Sequence, residues 1–133
     1  MNAPSKVYNI YYEPVIDSVI MDWTGYATSR EFREGTELML KELIENNTYK
    51  VLANAKEMTI IALEDQEWLN TEFLPRSFKA GLRGVAVVKP DSYFNKVALE
   101  TISYRMDKRK IAISFFDSLR EAKEWLSLLP NSN

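Results

Sequence analysis

The side chains that could do chemistry in this chain are limited by what it lacks, since its 133 residues include no histidine and no cysteine. These absences exclude a Ser-His-Asp triad, a thiol nucleophile, a disulfide and a Cys/His zinc site. Carboxylates remain, and Glu64, Asp65 and Glu67 cluster at a predicted helix start. Acidic residues there complement the positive end of the helix dipole. The cluster therefore favours a structural role over acid–base catalysis, which needs carboxylates with well-separated pKa values.

The sequence contains no recognisable motif for a metal site or a cofactor site. An oxygen-ligand cation site would need converging carboxylates or a D-x-D-x-D-G loop, and the acidic residues are spread along predicted helices. The four glycines, at positions 25, 35, 81 and 84, form neither a Walker A loop nor a G-x-G-x-x-G loop. We therefore predict neither a metal nor a cofactor. An enzyme using carboxylates or a lysine is the weakest alternative, because no lysine has an evidently apolar neighbourhood.

Two weaker signals point to anions. Lys89 and Ser92 flank the start of a predicted helix, where backbone amides attract anions. The cations between Arg105 and Lys110 could contact an acidic partner, a phosphate or an anionic lipid. A solvated loop that protects a sheet edge is the favoured interpretation of that stretch.

Length and composition indicate one globular domain spanning residues 1–133, with 46% hydrophobic and 27% charged residues. Seventeen basic residues against nineteen acidic ones leave a net charge of -2, which argues against broad nucleic-acid binding. No window approaches the roughly 20 apolar residues of a membrane span, and the N-terminus lacks the apolar core of a signal peptide. The expectation is a cytoplasmic protein without a membrane span.

The periodicity alternates between strand and helix in the order β-β-α-β-α-β-α-β-α. A hairpin followed by strand–helix alternation implies an α/β domain with a mixed, mostly parallel sheet and right-handed crossovers. The N-terminal β-hairpin is thus followed by three β-α units with helices packed on the sheet. The predicted strands are Val7–Tyr12, Val19–Tyr26, Tyr49–Ala55, Gly84–Val88 and Ile111–Phe116.

Capping signals mark the helices between these strands. A capping box at Thr28 and Glu31 opens a helix over Ser29–Glu45, and Ser118 opens the last helix in the same way. Asp91 or Ser92 caps the third. Pro75 lies inside the second helical region, 64–80, and predicts a kink or break near Glu72. The residues expected in the core are Trp23, Leu40, Val51, Val85, Val87, Ile113 and Trp125.

Several phrases of the sequence resemble the STAS domain superfamily, and most closely its small stand-alone bacterial members described as SpoIIAA-like. They are MDWTGY at 21–26 running into TSREFREG at 28–35, EDQEWL at 64–69, FLPR at 73–76 and FDSLREAKEWL at 116–126. The resemblance covers essentially the whole chain. It implies a SpoIIAA-like fold in a bacterial protein and leaves the activity open.

One departure from that family concerns its phosphorylated serine, which sits in an Asp-x-Ser-Gly-like turn after the third strand. The matching segment here runs from Asn54 to Thr59, with Lys56 in place of the serine and no following glycine. The resemblance therefore implies that the family's phosphoserine switch is absent. Thr59 is the nearest hydroxyl.

The leading functional hypothesis is a non-enzymatic regulatory or binding module that contacts a protein partner or a small apolar or anionic ligand. Its surface would be the connection 54–63, with Met58, Ile60 and Ile61 as exposed apolar residues at the carboxyl edge of the sheet. A carrier of an apolar, lipid-like ligand beneath the 64–80 helix is the alternative, and a homodimer stays open. The predicted contact residues are Asn54, Lys56, Met58, Thr59, Ile60, Ile61, Lys89, Ser92 and Tyr93.

Overall fold

The structure is a computed structural model that describes residues 7–59, 61–91, 93–105 and 110–131. Within those residues one sheet has the strand order β1-β2-β3-β4-β5. β1 is antiparallel to β2, and the remaining neighbours are parallel. The predicted α/β fold with a mixed, mostly parallel sheet is confirmed. The strands are β1 Tyr8–Glu13, β2 Ser18–Gly25, β3 Lys50–Met58, β4 Gly84–Val88 and β5 Ala112–Phe116.

The helices divide unevenly between the two faces of the sheet. Right-handed crossovers between strands that follow one another across a sheet place their helices on one face. Accordingly α1, α2–α3 and α4 share one apolar core with that face, while α5 packs on the other. Along the part of the chain that the structure describes, the helices are α1 Ser29–Glu45, α2 Leu63–Trp68, α3 Leu74–Ala80, α4 Tyr93–Arg105 and α5 Leu119–Leu128.

We call the face of the sheet that α1, α2–α3 and α4 cover the cavity face. It carries Met21, Ala53, Val85 and Ile113 on β2 to β5. The second, the α5 face, carries Ile20, Leu52, Ala86 and Val88. Alternate residues of a strand point to opposite faces, so each strand contributes to both.

The helix boundaries follow the capping signals. The Thr28 hydroxyl accepts from the Glu31 amide, and the Glu31 carboxylate accepts from the Thr28 amide, so the predicted capping box is present. α1 spans the predicted residues and ends at Asn46. The Ser118 hydroxyl accepts from the Glu121 amide at the start of α5.

The second helical region, predicted to kink or break near Glu72, contains a π-helical turn there, Leu69–Phe73, and the backbone stays helical from α2 through this turn to α3. Leu74 separates the turn from Pro75, which lacks the amide that would continue the regular α-helical ladder. Two side-chain hydroxyls donate to backbone carbonyls near this turn. The Thr71 hydroxyl donates to Glu67 O at 2.8 Å, and the Ser77 hydroxyl donates to Phe73 O at 2.9 Å.

One prediction about local structure was wrong. β3 continues to Met58 instead of ending at Ala55, so Lys56 lies in a strand and not in a turn at a helix start. The predicted core residues Trp23, Leu40, Val51 and Val87 are buried, and Val85, Ile113 and Trp125 are largely buried but keep part of their surface exposed. The predicted contact residues Ile60 and Ser92 lie outside the described residues, as does the side chain of Tyr93 at the start of α4.

Helices long and apolar enough to span a bilayer are absent from the described part of the chain.

Candidate functional site

A cavity of about 110 Å³ lies between the cavity face and the helices that cover it. Ala53 and Val85, on the two strands at the middle of the parallel sheet, form its floor, and Leu69 and Leu99 line it from the π-helical turn and α4. Residues at the centre of a sheet covered by helices are normally fully buried. Both Ala53 and Val85 stay half-buried because the covering helices do not close over them.

The lining of this cavity is apolar. Among the described lining residues Thr36 is the only polar one, and its hydroxyl already donates to Phe32 O at 2.6 Å. The lining also includes Met21, Met39 and Met58, whose flexible thioether side chains adapt to irregular shapes. A molecule held here would meet no charged side chain in the described lining, and the hydroxyl proton of Thr36 is already donated.

A line of aromatic rings packs along one side of the cavity. Trp23 stacks on Phe32 with ring centroids 5.5 Å apart, and Phe32 meets Trp68 edge-on at 6.4 Å. Trp68 in turn lies 5.3 Å from Phe73. Gly35 allows α1 to approach Trp23, because a Cβ at this position would come within 2.6 Å of the indole. These rings belong to the core, as their spacing predicted.

We call the segment from α2 to α3 the roof, since its π-helical turn lines the cavity through Leu69, and polar contacts hold it to α1. Asp65, 1% exposed, accepts from the Ser29 hydroxyl at 2.8 Å and from Arg33 Nε at 3.0 Å. The Arg33 guanidinium also lies 5.0 Å from the centre of the Trp68 ring. The structural interpretation of the acidic cluster therefore agrees with the contacts of Asp65, which join α2 to α1.

A second link joins α3 to α1. Arg76 donates to both carboxylate oxygens of Glu37, with Nη1 2.8 Å from Oε1. This hydrogen bonding lowers the pKa of Glu37 below its ordinary value. The pair is half-exposed, so solvent weakens its contribution to stability.

The predicted contact residues do not form one exposed surface. Met58 and Ile61 are 3% and 4% exposed and line the cavity, so the expectation that they are exposed was wrong. Met58 is the last of the three additional residues of β3, so it belongs to the sheet and not to an exposed connection. Thr59 is exposed, and its amide donates to Gly25 O at 3.0 Å.

Asn54 and Lys56 make polar contacts away from the cavity lining. The Asn54 amide donates to Asp22 Oδ1 at 3.1 Å, linking β3 to β2. Lys56 Nζ lies 3.4 Å from Asp91.

Lys89 pairs with Asp117 at 2.9 Å, and this contact is the largest cause of the lowered pKa of Asp117. The two residues follow β4 and β5, so this ion pair lies at the carboxyl edge of the sheet.

Lys50 was missed by sequence reasoning, which found no lysine in an apolar neighbourhood. Its side chain is fully buried, and burial lowers the pKa of its ammonium group. Nζ donates to Leu126 O, Leu129 O and Asn131 Oδ1 at 3.0 to 3.2 Å, so all three protons are used at the C-terminal end of α5. The one available signal was its position directly before the apolar run Val51–Ala53 of β3.

No group of three or more acidic, histidine or cysteine side chains in the described segments is arranged to hold a metal ion.

The architecture is that of an α/β protein with a sequentially ordered sheet and an apolar cavity under the crossover helices. No family model matches the sequence. No curated protein matches it either. Among solved structures, it is similar to an uncharacterised DUF3478-family protein with a SpoIIAA-like fold from Shewanella loihica PV-4. The TM-score is 0.65 at 18% identity, covering 95% of this chain and 98% of that one. The chain therefore has a SpoIIAA-like fold, as the sequence resemblance predicted.

Proposed function

We propose that the protein is a non-enzymatic binding module that takes a small apolar molecule into the cavity on its sheet. The observation that carries this proposal is the incomplete cover over Ala53 and Val85 at the centre of the sheet. A protein interior is normally packed without voids larger than a water molecule. A space of about 110 Å³ with an apolar lining is costly to leave empty, and an apolar occupant would recover the lost contacts.

The size of the cavity limits the occupant. An engineered apolar cavity of about 150 Å³ stays dry and binds benzene or xenon. The cavity here is somewhat smaller, and the methionines of its wall can rearrange to admit a guest of comparable size.

The lining supports binding rather than catalysis. General acid–base and nucleophilic steps need an ionisable or activated group within hydrogen-bond reach of the reacting atoms. The described lining has no ionisable side chain, and the Thr36 hydroxyl is occupied. The burial of Met58 and Ile61 favours a ligand in the cavity over a protein docked on the 54–63 connection. We further propose that the family's phosphoserine switch is absent, since Lys56 lies within β3.

Methyl NMR of the protein tests this function directly. Benzene or xenon is titrated into protein labelled at the methyl groups of methionine, leucine and valine. We expect saturable shifts at Met21, Met39 and Met58, while the surface methyls of Val15 and Leu128, more than 80% exposed, stay unchanged.

A cavity-filling variant supplies the control. Ala53→Ile adds bulk inside the cavity and should abolish the shifts, whereas Ala112→Ile adds the same bulk at an exposed position of β5 and should preserve them. Shifts that do not saturate in the parent protein, or that persist in Ala53→Ile, would contradict cavity binding.

A further inference from the structure

Charged side chains lie at the carboxyl edge of the cavity, directly beyond its apolar lining. Val87 and Phe115 line the cavity and face each other across β4 and β5. The alternation of a strand places Lys89 and Asp117 one step further along, on the same face. The Lys89 amide donates to Phe116 O at 2.9 Å, so the pairing of the strands continues to this point.

A further cation approaches this edge from α4. Lys96 precedes Leu99 by three residues, so the two side chains lie on the same side of the helix, and Leu99 lines the cavity. Lys96 is exposed, and no described carboxylate lies within ion-pair distance of it. Its charge nevertheless contributes to the lowered pKa of Asp117, as does that of Lys56.

The charges at this edge do not cancel. Lys56 pairs with Asp91 and Lys89 pairs with Asp117, while Lys96 adds a third ammonium group. Among the described side chains of this group, three positive charges thus face two negative ones. An ammonium group has three donors, and Asp117 takes one from Lys89. The edge therefore has both donors and net positive charge to offer, in contrast to the lining below it.

We propose that the ligand is an aliphatic monocarboxylate whose chain enters the cavity and whose carboxylate meets Lys89 and Lys96. The inference rests on the proposed function, because the chain needs the cavity as its site. A lining that is apolar apart from Thr36 disfavours a charged group in the interior of the site, since burying one without a partner is costly. Lys89, Lys96 and Lys56 all act on the carboxylate of Asp117, so an anion at this edge is attracted by the same ammonium groups, and the half-buried ammonium of Lys89 strengthens the attraction by partial desolvation.

A matched pair of small molecules tests the head group. Hexanoate and hexan-1-ol carry chains of equal length and are titrated while the methionine methyl shifts are followed. The double variant Lys89→Met/Lys96→Met should weaken hexanoate binding about tenfold and change hexanol binding less than about twofold. Raising the salt concentration should weaken only hexanoate binding, because screening acts on the charged head group.

A charge-matched control is Lys41→Met/Lys79→Met, which removes two exposed helical lysines on α1 and α3 and should leave hexanoate affinity unchanged. Equal losses of hexanoate affinity in the two double variants, or an affinity that neither double variant changes, would overturn the assignment. Tighter binding of hexyl phosphate through the same lysines would overturn the monocarboxylate class. In each of these cases the benzene titration still reports the cavity, so the proposed function stands or fails separately.

Discussion

The two faces of the sheet differ in how closely their covering helices pack on them. On the α5 face Ile20, Leu52, Ala86 and Val88 are fully buried, with Ala122 and Leu126 of α5 equally inaccessible above them. On the cavity face Val51 and Val87 are buried as well, but Ala53 and Val85 of the same two central strands remain half-buried although more helices cover this face.

The difference arises from how the helices are attached. α5 follows the last strand without a return crossover, and it lays a narrow stripe of small and aliphatic residues directly on β3 and β4. α2 and α3 are interrupted by a π-helical turn and are tied to α1 by Asp65 and Arg76. These polar contacts hold α2 and α3 against α1, but they do not fill the space between the helices and the sheet. Cover by helices is therefore not the same as close packing.

The largest expected loss of stability comes from truncating one leucine on each face of the sheet. Leu126→Ala should destabilise the protein by about 4 kcal/mol, since a fully buried leucine leaves a cavity that the core cannot fill. Leu99→Ala removes the same atoms from the half-buried cavity wall and should cost about 1 to 1.5 kcal/mol. Urea denaturation with an unchanged m value measures both. Equal losses would show that the two faces are equally well packed.

Adding volume should give opposite signs on the two faces. Ala86→Val inserts two methyl groups into closed packing and should destabilise by about 2 kcal/mol. Ala53→Val places them in the cavity and should stabilise by about 0.5 to 1 kcal/mol. Thermal denaturation of the pair distinguishes them. If Ala53→Val is as damaging as Ala86→Val, the space over Ala53 is closed in solution.

Pro75→Ala tests the role of the π-helical turn between α2 and α3. The new amide can complete the helical ladder across Leu69–Phe73, which should straighten the segment and stabilise it by about 1 kcal/mol. Amide hydrogen exchange should slow in the π-helical turn and stay unchanged in α1. A loss of several kcal/mol would instead mean that the break fits a required packing geometry.

The smallest effect concerns the pH dependence of the α1–α3 link. Arg76 lowers the pKa of Glu37 from 4.5, so the folded state favours the ionised carboxylate. Its stabilisation is present above the unfolded pKa and is lost as the pH falls through the lowered folded pKa. Glu37→Gln should therefore cost less than about 1 kcal/mol at pH 7 and nothing at strongly acidic pH, because the pair is half-exposed. On α5, Glu124→Gln removes a more exposed pair with Arg120 and should cost less at pH 7 than Glu37→Gln. A pH-independent cost for Glu37→Gln would exclude this linkage.

Much of the fold was predictable because its signals are local. The capping box at Thr28, the terminator at Asn46 and the missing amide of Pro75 each act within one or two helical turns. The end of β3 was not predictable in this way. Lys56 and Glu57 look like a polar connection, yet pairing with β2 as far as Gly25 and Met58 carries the strand through them.

The candidate site was predicted only in part. Met58 and Ile61 were singled out correctly as apolar residues needing an explanation, but they point into the protein. Ala53 and Val85 gave no signal at all, because half-buried and fully buried apolar residues have the same pattern in a strand.

The sequence by itself determined the order of the elements and the absence of histidine and cysteine chemistry, and its resemblance to SpoIIAA-like proteins predicted the fold. Periodicity, capping and composition suffice for the first two because they depend on neighbours along the chain. Only the tertiary structure decided that Lys50 is buried beneath the end of α5 and that a cavity remains on one face of the sheet. Both depend on how closely distant segments approach one another. No local pattern records that distance.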